Sequence, residues 1–390
     1  KFILHDGPPY ANGHLHMGHA LNKILKDVII KYQQISNKNS IYVPGWDCHG
    51  LPIEWKIEEQ YRKKKLNKDD VPVLEFRKQC RDFAQEWIEV QRKEFKRLGV
   101  IGDWDNPYTT MHYNSEAQIV RELGKFLENG GLYKGNRPVL WSVVEKTALA
   151  DAEVEYQEHK STTIYAKFPI AKTNLDKLNN HSIVIWTTTP WTIPGNRALA
   201  VHNEIKYVSL NIRRENSNED IIIAEGLVDN FLKENKILES NVNFSLTGNE
   251  LLNTSCYHTL FKSGYDFIVP ILHGDFVTTE QGTGIVHICP VHGMDDFILG
   301  KQHNLELPMT IDEGGIYYEH IPVFAGKHIF KVDPEVCDEI EKCNNLISKG
   351  QLIHSYPHSW RSKAPLVYKN TSQWFISMET NDLRKKALKA

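Results

Sequence analysis

Residues 7–19 constrain the fold of this chain more than any other stretch, because loop-forming residues there lead directly into an amphipathic helix. Gly-Pro-Pro and Asn-Gly are turn-forming combinations, and Ile3 and Leu4 before them predict the end of a strand. Apolar residues recur with helical spacing after this stretch, at Leu21, Ile24, Leu25, Val28, Tyr32 and Ile35. The sequence therefore predicts a strand, a loop and a helix, with His16-Met17-Gly18-His19 at the helix start.

This helix start has the chemistry of a phosphate site. The N-terminus of a helix presents free backbone N–H groups and the positive end of the helix dipole. His16 and His19 can add hydrogen bonds from their imidazoles, and Gly18 lets a flat ring approach the backbone because it lacks a Cβ. A capping turn with ordinary surface histidines fits four residues equally well. The loop at 44–54 favours function, because it combines Gly, Pro, Trp, Asp47 and His49.

The composition limits the classes to which the chain can belong. A length of 390 residues with 41% hydrophobic and 24% charged residues predicts a soluble protein of two or three domains. The net charge of -3 provides no basic field for nucleic acid, and the basic run at 62–65 is more typical of a solvated helix face. The six cysteines form no C-x-x-C pair, which indicates a reducing compartment. No apolar run approaches the roughly 18 residues of a membrane helix.

From about residue 162 to residue 290 the sequence pattern changes from helical periodicity to short β-type runs. Helical patterns precede this block at 57–98 and from Asn114 or Ser115 onward, where we expect an inward apolar face. That face comprises Ile119, Val120, Leu123 and Leu127. Short β-type runs then follow, separated by turn-rich segments such as 216–219. These runs are 163–168, 182–188, 199–201, 207–210, 221–224, 267–272 and 284–288.

An all-β block inside an α/β protein predicts an inserted domain. Helices are expected again at 295–303 and 332–348, and a final strand at 366–368 begins a return to the first domain. We therefore expect three regions, at 1–145, 146–345 and 346–390. The chain starts within an apparent strand and stops within a charged helix, so we also expect a fragment of a longer protein.

Four motifs carry a resemblance to a known family. They are G-P-P-Y-A-N-G-x-x-H-x-G-H-A at 7–20, P-G-W-D-C-H-G-L-P-I-E at 44–54, W-T-T-T-P-W-T-I-P-G-N-R-A at 186–198 and G-T-G-I-V-H-x-x-P-x-H-G-x-D-D at 282–296. Along essentially its whole length, the chain resembles the bacterial-type isoleucyl-tRNA synthetases, which are class I aminoacyl-tRNA synthetases. The leucyl and valyl relatives differ within the loop at 46–49, and they carry Arg where this chain has Thr189.

The resemblance implies an α/β fold, in which a β-rich editing domain interrupts a Rossmann-type catalytic domain. It also implies activation of isoleucine with ATP and Mg²⁺, followed by transfer to tRNA(Ile). By matching positions, His16, Gly18 and His19 would act on ATP. Gly7 and Pro8 would line the isoleucine pocket, and Asp47 would bind the ammonium group. The chemistry agrees, because adenylation needs charge stabilisation at phosphorus and a carboxylate pairs naturally with an ammonium group.

The same resemblance implies hydrolytic editing of mischarged Val-tRNA(Ile). Thr187, Thr188, Thr189 and Asn196 would hold the ribose ester and a water molecule. Asp296 would bind the ammonium group of the wrong amino acid, and His287 would exclude isoleucine. Each position also has an ordinary structural explanation. Threonine is a common strand former, Asp296 could cap the following helix, and Asn196 could be a turn residue.

Two departures from the family qualify the resemblance. Relatives often carry a zinc knuckle of two C-x-x-C pairs, but the matching segments at 142–145 and 359–362 contain no cysteine. Thiolates are the ligands of such a site, so we expect no zinc in this segment. The family's K-M-S-K-S loop and anticodon-binding domain are not among these residues, so we expect no useful adenylate formation by the fragment alone.

The resemblance further implies a monomeric cytoplasmic enzyme that does not contact a membrane. Two other readings remain open on the residues alone. One is an H-x-G-H nucleotidyltransferase acting on a small metabolite, although such enzymes do not need a Thr-rich β insertion. The other is a free-standing tRNA-binding or editing module, although such a module would not need His16, His19 and Asp47 together.

Overall fold

The computed structural model describes residues 1–214 and 217–390, and it divides the chain into two compact units. The first unit comprises Lys1–Tyr133 and Phe375–Ala390, and the second comprises Lys134–Trp374. The α-helices are α1 Met17–Ile35, α2 Leu51–Lys63, α3 Val73–Arg97, α4 Tyr113–Glu128, α5 Val228–Glu234, α6 Gly248–Leu251, α7 Met294–Gln302, α8 Asp333–Lys342 and α9 Leu383–Lys389.

The strands range from two to 19 residues. They are β1 Gly45–Trp46, β2 Tyr108–Thr109, β3 Leu132–Ser142, β4 Thr147–Ala148, β5 Val154–Lys172, β6 Ser182–Thr187, β7 Ala198–Val201, β8 Lys206–Arg214, β9 Ser217–Ala224, β10 Ser240–Thr247, β11 Ser255–Tyr257, β12 Ile268–His273, β13 Val286–Ile288, β14 Leu346–Ser359 and β15 Val367–Ile376.

The first unit is helical, with a small parallel β element at its centre. Strands β1 and β2 pair in parallel, and Tyr10 forms a parallel bridge with Asp47. The predicted strand at Ile3 and Leu4 is wrong, because residues 1–9 lie in no strand. The two prolines that follow, Pro8 and Pro9, lack the N–H groups that a strand ladder requires. The unit's core contains Tyr42, Trp46, Ile53, Ala84, Ile88, Phe95 and Trp104.

Helix α1 buries a mixed face and exposes its apolar stripe. The buried residues are Lys23, Asp27 and Ile30, whereas Leu25 and Val28 are more than half exposed. The expected inward face of α4 is also wrong, because Ile119, Val120 and Leu127 are exposed. Helical periodicity therefore locates these helices correctly, but the unit described here does not bury their apolar sides.

The second unit is built on a ten-stranded sheet and a three-stranded sheet. The large sheet has the order β10-β8-β9-β6-β5-β11-β12-β7-β13, and β14 pairs antiparallel with β5. The small sheet has the order β15-β3-β4. The main core is apolar and fully buried, with Ile164, Phe168, Ile185, Leu199, Ile222 and Phe324 among its members. The predicted α/β class with a β-rich insertion is confirmed.

All seven predicted β-type runs overlap strands of this unit, and α7 confirms the helix expected at 295–303. The helix expected at 332–348 is right only to Lys342, because Asn344 adopts a left-handed conformation at φ 58° and β14 starts at Leu346. Of the predicted turn-rich segment at 216–219, Asn216 lies outside the described residues, and the rest belongs to β9.

Candidate functional site

The N-terminus of α1 holds the H-x-G-H residues in a self-capped turn. Nδ1 of His16 accepts a hydrogen bond from the Gly18 N–H at 3.1 Å, and Nδ1 of His19 accepts one from the His16 N–H at 3.4 Å. The two rings stack with centroids 3.8 Å apart. Because both Nδ1 atoms accept, the proton of each neutral ring lies on Nε2, where it can be donated to a ligand.

Gly18 is required by this geometry. A Cβ at position 18 would lie 2.9 Å from Cε1 of His16, which is closer than carbon atoms approach in proteins. Partial burial, together with the nearby His16 and Lys23, lowers the pKa of His19 below its ordinary value. His19 is therefore a neutral donor at pH 7, and the helix N-terminus supplies the positive potential for an anion.

Helix α3 fixes the loop that precedes this turn. The side-chain amide of the fully buried Gln91 donates to the carbonyls of Tyr10 and Gly13, at 3.0 and 2.7 Å. Its Oε1 accepts from the Trp46 indole at 2.9 Å, which ties the 7–19 segment to the 44–54 segment. Sequence reasoning missed Gln91, because a lone Gln within an amphipathic helix pattern gives no signal.

Asp47 lies beside the segment that contains Gly7 and Pro8. Its backbone N–H donates to the Pro9 carbonyl at 2.8 Å, and its carbonyl accepts from the Ala11 N–H at 3.0 Å. The Asp47 side chain is half-buried, and its Oδ1 accepts weakly from the Thr110 hydroxyl at 3.4 Å. A half-buried carboxylate with weak internal partners retains capacity to bind a ligand cation.

The threonines after β6 form a second candidate site, within the second unit. The Thr189 N–H donates to the Thr187 hydroxyl at 3.1 Å, and the two hydroxyls lie 3.3 Å apart. The Thr192 hydroxyl donates to the Thr189 carbonyl at 2.8 Å and lies 2.8 Å from Nε2 of His287. Thr188 is half-buried at the edge of this group.

His287 joins the threonines to Asn196. The Asn196 side-chain amide lies 2.8 Å from Nδ1 of His287 and 2.9 Å from the Ala198 carbonyl. The amide must donate to both, so Nδ1 accepts and Nε2 carries the proton towards Thr192. Burial lowers the pKa of His287 to about 3, so the ring is neutral at pH 7. The arrangement makes His287 a neutral bridge within a network.

Asp296 lies in the first turn of α7, nine residues after His287. Its Oδ2 accepts the Cys289 N–H at 2.7 Å, and Cys289 follows His287 by two residues along the chain. Burial raises the pKa of Asp296 to about 7, although the hydrogen bond opposes this shift. Asp296 has no ion-pair partner among residues 1–214 and 217–390, and such a carboxylate gains from binding an ammonium group.

The segments that match the zinc knuckle of relatives converge on a carboxylate. The side chain of Glu145 is buried, and its Oε1 accepts from the Ser359 hydroxyl at 2.8 Å and the Ser362 N–H at 3.2 Å. The Ser142 hydroxyl accepts the Glu145 N–H at 3.2 Å. Within residues 1–214 and 217–390, no cluster of three or more His, Cys, Asp or Glu residues could hold a metal ion.

The twelve predicted site residues fall into two groups of six, one in each unit. The first comprises Gly7, Pro8, His16, Gly18, His19 and Asp47, and the second comprises Thr187, Thr188, Thr189, Asn196, His287 and Asp296. Thr192 was missed, although it lies in the same Thr-rich motif. In the described part of the chain, no helix is long and apolar enough to cross a membrane.

Comparisons with known proteins identify the family of the chain. The family model described as "tRNA synthetases class I (I, L, M and V)" matches residues 1–390. The chain is similar to a protein of Pelagibacter ubique named Isoleucine--tRNA ligase, with 58% identity over the whole chain and 43% of that protein. Proteins of the same name from Gluconobacter oxydans and Bradyrhizobium diazoefficiens are 51% and 48% identical. They are matched over 100% and 97% of this chain and 43% and 41% of their own length.

Proposed function

This chain belongs to the class I tRNA synthetases (I, L, M and V), and we propose that it is the N-terminal part of an isoleucine--tRNA ligase. It spans less than half the length of the curated relatives it matches. The proposal therefore concerns the full-length enzyme, to which this chain contributes the first catalytic segment and the editing domain. We retain the boundaries 1–145, 146–345 and 346–390 as the proposed domains.

In the proposed synthesis reaction, a carboxylate oxygen of isoleucine attacks the α-phosphorus of ATP, and the bond to the bridging oxygen breaks to release pyrophosphate. His16, Gly18 and His19 hold the nucleotide, with Nε2–H of each imidazole donating to phosphate oxygens. Asp47 binds the α-ammonium group, and Gly7 and Pro8 form one wall of the side-chain pocket. Mg²⁺ neutralises phosphate charge when it is bound with ATP.

In the proposed editing reaction, water attacks the ester carbonyl of Val-tRNA(Ile), and the bond to the ribose oxygen breaks to release valine. Thr187, Thr188 and Thr189 hold the ester and the water through their hydroxyls, and Asp296 holds the ammonium group. His287 is not the general base, because both its ring nitrogens already have partners. We propose that it sets the size of the pocket by holding Thr192 and Asn196 in place.

The observation that carries this proposal is the continuous network of Asn196, His287, Thr192 and Thr189 in a β-rich unit inserted into an α/β unit. An H-x-G-H nucleotidyltransferase for a small metabolite has no use for such a network. A free-standing editing module has no use for two stacked histidines that cap a helix. Our proposed partners are tRNA(Ile), isoleucine and ATP, for a monomeric cytoplasmic enzyme.

Pyrophosphate exchange by the full-length enzyme tests the synthesis site. We expect exchange with isoleucine, weaker exchange with valine, and none with methionine. The double variant His16→Ala, His19→Ala should lose at least a hundredfold in exchange, while it deacylates Val-tRNA(Ile) normally. Isoleucine-independent adenylation of another metabolite would contradict the proposal. An absence of ATP binding would favour the free-standing module.

Deacylation of Val-tRNA(Ile) by the full-length enzyme tests the editing site. Asp296→Ala should slow deacylation at least tenfold and leave isoleucine activation unchanged. His287→Ala should open the pocket, so that Ile-tRNA(Ile) is hydrolysed as well. Equal deacylation by the wild type and Asp296→Ala would remove Asp296 from the site.

A further inference from the structure

The carboxylate of Asp6 is a buried junction in the first unit, immediately before Gly7. The residue is 9% exposed and accepts hydrogen bonds from four donors. Its Oδ1 accepts from Lys26 at 2.8 Å. Its Oδ2 accepts from the Gly45 N–H at 2.9 Å, from the Tyr42 hydroxyl at 3.0 Å and from Lys23. A carboxylate with partners on both oxygens is fixed in position and orientation.

These donors come from separate parts of the proposed synthesis site. Lys23 and Lys26 lie on α1, whose N-terminus carries His16 and His19. Tyr42 and the Gly45 N–H belong to the segment that leads to Asp47 two residues later. Asp6 itself precedes the Gly7-Pro8 wall. One side chain therefore connects the three chain segments that the proposed reaction requires.

The segment with Asp6 and Pro8 packs closely against Gly45. A Cβ on Gly45 would lie 3.3 Å from Cβ of Pro8 and 3.7 Å from Oδ2 of Asp6. Gly45 also lies in β1, so its N–H position sets the direction of the chain towards Asp47. A shift of the Asp6 carboxylate would consequently move both the pocket wall and the residue proposed to bind the ammonium group.

Asp6 supplies the negative charge that both lysines of this junction share. The Lys23 side chain is 2% exposed, and Asp6 is its ion-pair partner among the described residues. Burial lowers the pKa of Lys23, and the hydrogen bond and attraction to Asp6 oppose that shift. Burial also raises the pKa of Asp6, but the bonds from Lys23, Lys26 and Gly45 outweigh it and leave the pKa lowered. Asp6 is thus ionised in the folded protein.

We propose that Asp6 is a positioning residue for amino-acid activation, which sets the Gly7-Pro8 wall, Asp47 and the H-x-G-H turn in one geometry. The inference rests on the proposed function. Asp6 does not touch the substrate in this proposal; it acts through the Gly45 N–H, Tyr42, Lys23 and Lys26. Nothing in the motif itself distinguishes Asp6 from an ordinary loop residue, because its role follows from its four partners.

The test is Asp6→Asn in the full-length enzyme, with Asp27→Asn as the matched control. Asp27 lies on α1 and, like Asp6, is a buried carboxylate that pairs with a lysine, here Lys31, and accepts a backbone N–H, here from Ile101 at 2.9 Å. Isoleucine-dependent pyrophosphate exchange is measured at varied isoleucine, together with deacylation of Val-tRNA(Ile) and thermal unfolding. We expect Asp6→Asn to raise the KM for isoleucine at least tenfold. Asp27→Asn should leave that KM within twofold, and deacylation should be unchanged in both.

A second variant separates positioning from stability. The double variant Asp6→Asn, Lys23→Met also removes the buried ammonium group that Asp6→Asn alone leaves without its partner. Its thermal stability should therefore recover while the KM stays raised. Recovery of both stability and KM would overturn the proposal, because Asp6 would then only neutralise Lys23. A KM within twofold of wild type in Asp6→Asn would also overturn it. Failure of the wild-type enzyme to activate isoleucine would instead refute the proposed function.

Discussion

The side-chain amide of Asn196 donates to Nδ1 of His287 over 2.8 Å, and this bond fixes the tautomer of a buried histidine. Because Nδ1 accepts, Nε2 must carry the proton, which points to the Thr192 hydroxyl at 2.8 Å. The Thr192 hydroxyl, which accepts this proton, donates its own to the Thr189 carbonyl. Donors and acceptors therefore alternate in one direction from Asn196 to the Thr-rich turn.

Thr192→Val tests this chain of hydrogen bonds. Valine has nearly the same shape but no hydroxyl, so it leaves the His287 N–H buried without an acceptor. An unsatisfied buried donor costs about 1–3 kcal/mol, and we expect the free energy of unfolding of the second unit to fall by that amount. Deacylation of Val-tRNA(Ile) should fall at least tenfold. Thr192→Ser keeps the hydroxyl and should stay close to wild type; equal losses in the two variants would refute the network.

Sequence patterns predicted the elements better than their environment. The β-type runs were found because alternating and β-branched residues identify strands locally. The 3.6-residue periodicity likewise located α1, but it could not show that Lys23 and Asp27 are buried while Leu25 is exposed. Burial depends on which segments pack together, and periodicity reports only that a helix has two faces.

For the candidate site too, the sequence identifies local motifs but not the contacts between distant segments. Motif resemblance predicts twelve residues, six in each unit, and their roles stay predictions. The motif resemblance does not identify Thr192, Gln91 and Asp6, because their roles arise from hydrogen bonds to residues far apart in sequence. The strand β14 was missed for a related reason. Its irregular mixture of apolar and polar residues, with Gly350 and Pro357, forms a strand only because it pairs with β5, about 190 residues earlier.

The half-buried carboxyl of Asp296 should make stability depend on pH. Burial raises its pKa from 3.8 to about 7 in the folded protein. Between these values the folded state binds more protons than the unfolded state, so stability falls as pH rises through this window. Asp296→Asn should remove that dependence and raise the free energy of unfolding at pH 8 by on the order of 2–4 kcal/mol.

Urea unfolding at pH 5 and pH 8 measures this effect of Asp296. The difference between the two pH values should be smaller in Asp296→Asn than in wild type. Asp295→Asn is the control, because Asp295 is exposed on the same helix turn. Deacylation by the wild type should also weaken below pH 7, where the carboxylate needed for ammonium binding becomes protonated. A wild-type deacylation rate that is constant from pH 5 to 8 would contradict the assignment.

Glu145 should contribute more to stability than a surface carboxylate. It is buried within the turn at 143–146 and accepts from the Ser359 hydroxyl and the Ser362 N–H, more than 200 residues later. Glu145→Ala leaves these donors without an acceptor, at a cost of about 1–3 kcal/mol. Glu155 pairs with Lys363 at an exposed position, so Glu155→Ala should cost less than Glu145→Ala. Urea midpoints of the two variants make the comparison, and equal midpoints would show that the Glu145 cluster is not a structural link.

Val323 occupies a backbone conformation that a β-branched residue rarely adopts. Its φ is 67°, between Pro322 and Phe324, whose N–H donates to the Pro322 carbonyl at 2.7 Å. Such strain costs about 1–3 kcal/mol, and glycine would relieve it, so Val323→Gly should raise the urea midpoint. Val43 is the matched control, because it is equally exposed and lies outside the positive-φ residues. Val43→Gly should lower the midpoint, since glycine there only adds unfolded-state entropy. A lower midpoint in both variants would show that Val323 is not strained.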